Sequence, residues 1–131
     1  MKIAVLADIH ANYRALQAVS EHIEDWSPDF VYLAGHIVNR GPRSLDCLRF
    51  VQRKQQLADW RVIRGNHEEY VIARSAPDAP QSGPLFELFR PVHFTYLQLN
   101  EDISDLITMP EILSLTLPDA SEFRVVHASM Q

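Results

Sequence analysis

The sequence predicts an α/β fold in which a mainly parallel sheet is flanked by helices. Three observations carry this. Compact apolar runs at residues 2–7 and 30–34, with a shorter one at 61–63, alternate with stretches of helical periodicity. Past Lys2 the first two runs are apolar throughout, as expected for strands buried on both faces of a parallel sheet. The order strand, helix, strand, helix, strand, helix implies βαβ crossovers, which lay parallel strands side by side.

Each element has a local reason. Asn12 is placed to cap a first helix that runs to about Asp25, with Leu16, Val19 and Ile23 on one face. Ser27-Pro28-Asp29 breaks it before the second strand. A second helix is expected from Arg43 to about Lys54, with Leu45, Leu48 and either Val51 or Phe50 facing inward, and a third over residues 66–74. The stretch "SAPDAPQSGP" at 75–84 holds three prolines and a glycine and reads as a loop. Short helical pieces are expected at 85–89 and 94–99. Asn100 is placed to cap another helix to about Thr108, ahead of Pro110. Residues 112–117 and 123–126 read as strands joined by the Pro118-Asp119-Ala120 turn.

Length and composition bound the function. The 131 residues suit one domain with one core, and 47% apolar with 22% charged residues describe an ordinary globular chain. A net charge of −5 argues against broad binding to nucleic acid or an anionic membrane, which needs a basic surface. It leaves room for a phosphorylated substrate, because metal ions can supply local positive charge. Cys47 is the single cysteine, so no internal disulfide can form and a reducing cytoplasm is the simplest home. Asp8 interrupts the opening apolar run too early for a signal peptide, and no run reaches membrane-spanning length.

The polar residues that follow the strands carry the chemistry. Asp8 and His10 follow the first, His36 the second, Asn66 and His67 the third, and His127 the last. Ligands of open parallel sheets bind at the carboxyl ends of the strands. Asp8 and His10, two residues apart, point the same way from a strand end. Asp, Asn and His together offer oxygen and nitrogen donors that suit Mn, Fe, Zn, Co or Ni. His22 and His93 lie elsewhere and read as ordinary residues.

The motifs D8-x-H10, G35-H36-x5-G41-P42, G65-N66-H67-E68 and V125-V126-H127, in this order and each after an apolar strand, resemble the calcineurin-like metallophosphoesterase superfamily. "VNRGPRSL" is similar to the branch of serine/threonine phosphatases and dinucleoside polyphosphate hydrolases. "DIHANYRALQAV" is more similar to small bacterial phosphodiesterase-type members, and the branch stays open between them. The resemblance implies an αββα sandwich, of which this chain would be the N-terminal half or so, and a site for two divalent ions. It implies that Asp8 and His10 bind the first ion and Asn66 and His127 the second, with position 36 between them. It implies that His67 protonates the leaving oxygen or steadies the phosphoryl oxygens, and that Arg40 holds a substrate phosphate.

Two features depart from the family pattern. Position 36 normally holds an aspartate that bridges both ions; an imidazole brings no charge there and can ligate one ion but bridges poorly. A further glycine-His-x-His motif, which supplies one more ligand to each ion, is missing from these 131 residues. The expected function is hydrolysis of a phosphomonoester or phosphodiester through metal-bound hydroxide, impaired by both departures. The substrate would be a phosphorylated small molecule, a nucleotide or a phosphoprotein. The alternative is an inactive remnant of the fold that serves as a binding or assembly module. A C-terminally truncated domain would leave one apolar sheet face uncovered, which predicts self-association. Glu68 and Glu69 are read as favouring the positive end of the third helix, and Trp26, Trp60, Tyr70, Phe86 and Phe89 as packing residues.

Overall fold

The protein is described by a computed structural model over residues 1–128. Strand β1 (Ile3–Leu6) leads into α1 (Tyr13–Trp26), β2 (Phe30–Ala34), α2 (Ser44–Ala58), β3 (Arg61–Ile63) and α3 (Asn66–Arg74). Then follow α4 (Gly83–Leu88), α5 (Arg90–Leu99), a 3-10 turn (Asn100–Asp102), α6 (Ile103–Ile107), β4 (Ile112–Thr116) and β5 (Glu122–Val126). The first three strands form a parallel sheet in the order β1-β2-β3, and β4 and β5 pair as an antiparallel hairpin. The α/β prediction is met.

Alternation along β2 divides the core in two. Val31 and Leu33 face the helices and join Leu16, Ile23, Cys47, Leu48, Val51, Val71 and Leu106 in the larger cluster. Tyr32 and Ala34 face the other way and pack with Ile63 and Val125 beneath the hairpin. The molecule is therefore layered, with helices on one face of the parallel sheet and the hairpin against β2 and β3 on the other. Among the described residues, no helix is long and apolar enough to cross a membrane.

Several expectations need correction. β1 is not buried on both faces: Val5 is 54% exposed, because the hairpin packs on β2 and β3 and leaves the β1 edge open. Val19 points to solvent and Ser20 is buried, because the inward stripe of α1 runs 16, 20, 23. Cys47 joins Leu48 and Val51 on the buried face of α2, while Phe50 is only partly covered. Asn100 does not cap a following helix. Its φ of 25° ends α5, where its N–H donates to the Tyr96 carbonyl, and a 3-10 turn intervenes before α6. Asn12 does cap α1, accepting from the Ala15 N–H at 3.1 Å.

Candidate metal centre

The loops after β1 and β2 are wound tightly. Asp8, His10, Ala11, His36, Asn39 and Arg40 all have φ between 50° and 76°, a left-handed region that costs a residue with a Cβ about 1–2 kcal/mol. Such strain persists only where the surroundings fix it. Here the two loops are tied together, with the His10 and Ala11 N–H groups donating to the His36 and Ile37 carbonyls at 2.9 Å each. Gly41 fits because a Cβ there would lie 2.1 Å from the His10 carbonyl oxygen. Gly35, at φ 84°, leaves room for Gly65 and for the ring of His127.

Glu68 is the anchor of the second loop. It is fully buried, and its carboxylate accepts from the N–H groups of His36, Ile37 and Val38 at 3.0, 2.6 and 3.2 Å, and of Gly65 at 2.9 Å. Its bond to Gly65 is the helix-start role expected from the sequence. The other three bonds extend that expectation, because they join α3 to a loop some thirty residues earlier. Glu69 is exposed, 3.7 Å from the Arg64 guanidinium.

These loops bring the sequence-predicted ligands to one place. Ring nitrogens of His10, His36 and His67 lie within 4.8 Å of one another. The Asp8 carboxylate is 2.6 Å from His36 Nδ1 and 3.9 Å from His10 Nε2. The 2.6 Å approach lacks hydrogen-bond alignment, and among the described residues His36 Nδ1, like the separate His10 Nδ1, is buried without a hydrogen-bond partner. Nitrogen lone pairs converging with a carboxylate in this way match the donor set of a borderline transition-metal ion. The His36 ring also meets the other ligand pair. Its Nε2 contacts the Asn66 amide oxygen, and its centroid is 4.1 Å from that of His127. His127 Nδ1 donates to the Ala34 carbonyl at 2.7 Å, which leaves Nε2 with the free lone pair that a metal ligand needs.

His67 is held differently. The Thr95 hydroxyl lies 3.0 Å from the Asn39 amide oxygen, and the Asn39 Nδ2 lies 3.0 Å from His67 Nδ1. With the Thr95 proton on that contact rather than on its longer one to the Pro91 carbonyl (3.2 Å), the Asn39 amide donates to Nδ1 and the neutral His67 ring carries its proton on Nε2. Burial foremost, then the neighbouring His36, His10, Arg40 and His127, push the His67 pKa down to about 4. Asn39 and Thr95 were not singled out in the sequence, and Thr95 lies 56 residues from its partner.

Two hollows flank the His36 ring. Asp8 and His10 line a cleft of about 590 Å³ together with Arg14, Arg40 and Arg43. Asn66 and His127 line a smaller one of about 240 Å³ with Arg64, Glu69 and Glu111. The structure thus brings Asp8, His10, His36, Asn66, His67 and His127 together and sets Arg40 beside the first pair. His93 is apart from them, its Nδ1 accepting from Arg74 at 3.0 Å.

The chain is similar to known proteins in sequence and in fold. The chain is 33% identical over 92 residues to a symmetrical bis(5'-nucleosyl)-tetraphosphatase from Vibrio campbellii, a match that takes in 66% of this chain and 34% of the relative. It resembles the crystal structure of a hypothetical protein from Pyrococcus horikoshii at 25% identity and a TM-score of 0.74, over 88% of this chain and 50% of the other. It also resembles a metallophosphoesterase from Sphaerobacter thermophilus at 30% identity and a TM-score of 0.64, over 86% and 42% respectively. The chain therefore spans about a third of the length of its curated relative and half or less of these structures. The sequence model of the calcineurin-like phosphoesterases matches residues 1–123, and the chain belongs to that family.

Proposed function

We propose that the protein hydrolyses a phosphate ester or anhydride of a nucleotide with the help of divalent ions. The observation that carries this is the convergence of Asp8 and the His10, His36 and His67 rings, with two orphaned ring nitrogens, at the mouth of an arginine-bearing cleft. The family implies divalent ions, and the donors fit them. Asp8 and His10 would hold one ion, Asn66 and His127 another, and the His36 ring presents one nitrogen toward each pair. When bound, such ions activate water near neutral pH and offset the charge of the phosphoryl oxygens. The remaining work falls to side chains of the chain itself. Arg40 faces the cleft without an ion pair among the described residues, and holds the phosphate for in-line attack. His67, neutral and with Nδ1 engaged by Asn39, donates a hydrogen bond from its Nε2–H to the phosphoryl or leaving oxygen as charge develops there. The tetraphosphatase relative supports a nucleotide substrate, and the single buried thiol of Cys47 suits the cytoplasm.

The test is hydrolysis of bis-p-nitrophenyl phosphate with Mn²⁺. Turnover is expected, and His67→Ala should slow it by roughly 10²–10³-fold, the usual worth of one hydrogen-bond donor to a developing oxyanion. No turnover with any divalent ion overturns the proposal for this chain.

A second reading rests on His36. Its ring fills the space between the two ligand pairs, contacting Asp8 on one side and Asn66 on the other, where a carboxylate would leave room for two close ions. On this reading the chain binds one ion and serves as a binding or assembly module, its open β1 edge and exposed Val5 giving a surface for a second copy. Calorimetric titration separates the two. His36→Asp should raise Mn²⁺ stoichiometry from about one to two per chain, as expected when a bridging carboxylate permits a two-ion site; an unchanged stoichiometry means the ring is no obstacle. A monomer by sizing at micromolar concentration would dismiss the assembly role.

A further inference from the structure

We infer that the cleft beside Asp8 and His10 binds the phosphates of the substrate other than the one cleaved, with Arg14 and Arg43 as the residues that select an oligophosphate chain. This rests on the proposed phosphohydrolase reading and names its substrate class.

Charge is the first argument. The chain carries a net charge of −5, yet this one cleft is lined by three arginines and one carboxylate, Asp8, which a metal ion would neutralise; Asp46, outside the lining, pairs with Arg43. Its volume of about 590 Å³ falls in the range of sites for whole small molecules, roughly 300–1,000 Å³, and exceeds what a lone phosphate fills. Position is the second. Arg14 lies in the first turn of α1, and Arg43 is the residue from which α2 starts. Cations there oppose the helix dipoles, a cost that Arg43 offsets through Asp46 and Tyr13 and that Arg14, without an ion pair among the described residues, does not. A polyanion between them reverses the sign of that interaction.

Preorganisation is the third argument. The Arg43 guanidinium lies 4.6 Å over the Tyr13 ring, and its Nε donates to Asp46 at 2.7 Å, so the fork is held with its remaining N–H groups available. The Arg43 N–H donates to the Ala11 carbonyl at 3.3 Å, and Gln98 donates to the Pro42 carbonyl at 3.1 Å. The loop that bears Arg40 and Arg43 is thereby fixed against the loop that leads into Arg14. Among the described residues Arg14 and Arg40 form no ion pair. Guanidinium forks match the paired oxygens of phosphate groups, and three of them along one cleft match consecutive phosphates.

The experiment titrates the Mn²⁺-loaded full chain with tripolyphosphate and with orthophosphate at 0.15 M salt by calorimetry. Tripolyphosphate should bind at least tenfold more tightly. The Arg14→Ala/Arg43→Ala variant should lose tenfold or more in tripolyphosphate affinity and less than threefold for orthophosphate, and Arg14→Lys/Arg43→Lys should recover only part of the loss. Equal losses for both anions, or none, overturn the inference. So does an acidic phosphopeptide that shows the arginine dependence while tripolyphosphate does not. Bis-p-nitrophenyl phosphate turnover by the unmodified chain reports separately. If turnover is absent and the tripolyphosphate preference persists, the hydrolase reading fails and the subsite stands. If turnover is present and the preference is absent, the subsite fails alone.

Discussion

The parallel sheet and the hairpin hold their site residues by opposite means. Around the parallel sheet, Asp8, His10 and His36 sit on left-handed backbone, fixed by cross-loop hydrogen bonds and by a carboxylate that takes four N–H groups at once. In the hairpin, burial alternates residue by residue along β4, and His127, the site residue just after it, is held among the described residues by one ring bond to Ala34. A strained, over-determined region and a lightly attached one thus meet at the His36 ring. The comparison teaches that damage should spread through the whole centre when it strikes the first region, and stay local when it strikes the second.

The sharpest way to break this is Glu68→Ala. It strands four backbone donors, and a buried unsatisfied donor costs about 1–3 kcal/mol, so with partial relaxation a loss on the order of 4 kcal/mol is expected. Urea unfolding should show it as a lower midpoint, and Mn²⁺ binding should vanish with it. A change below about 1 kcal/mol would mean the strained loops hold themselves. The counterpart in the hairpin is Phe123→Ala. Phe123 is only partly buried, 5.6 Å from the Tyr32 ring, so about 2 kcal/mol is expected, below the ~3–5 kcal/mol of a fully buried phenylalanine. Amide exchange should then rise in β4 and β5 while β1–β3 stay protected.

His127→Ala tests the single attachment. Removing one ring bond to a backbone carbonyl should cost about 1 kcal/mol of stability. The Mn²⁺ affinity should fall by at least the ~10–100-fold that loss of a supporting group around a metal brings. Larger destabilisation with unchanged metal affinity would make His127 a strut rather than a ligand.

Sequence reasoning reached the elements and the set of polar side chains that converge, because both rest on local signals. The apolar runs, the Asn12 cap and the Pro118-Asp119-Ala120 turn each speak through neighbours in the chain, and strand ends mark where side chains converge. What it missed is non-local. Glu68 was legible as a helix-start acid, but its bonds to residues 36–38 follow from the packing of α3 under the second loop. The Thr95–Asn39–His67 connection spans 56 residues and leaves no periodic trace. Val19 and Val5 were misplaced because hydrophobicity does not say how far a helix is rotated or which sheet edge lacks a cover.

The smallest expected effect uses Cys47 as a reporter of the first region. The thiol is fully buried on α2 among residues of the larger core cluster, and burial pushes its pKa up to about 12 from the usual 9. The charged form is the thiolate, so the folded state holds its proton where the unfolded state releases it. The sign follows: this contribution is fully present below pH 9 and is lost as pH rises from 9 toward 12. At pH 10 the unmodified chain should have lost about 1 kcal/mol more than Cys47→Ala does, each measured against its own value at pH 8, since one pKa unit is worth ~1.4 kcal/mol. At pH 8 the folded thiol should resist an aromatic disulfide reagent, with labelling limited by opening of the core. Phe123→Ala should leave that labelling rate nearly unchanged if the hairpin opens on its own, whereas Glu68→Ala should raise it many-fold. Equal acceleration by both variants would show that hairpin and parallel sheet unfold as one unit, and the distinction between them would then concern only how each holds its ligands.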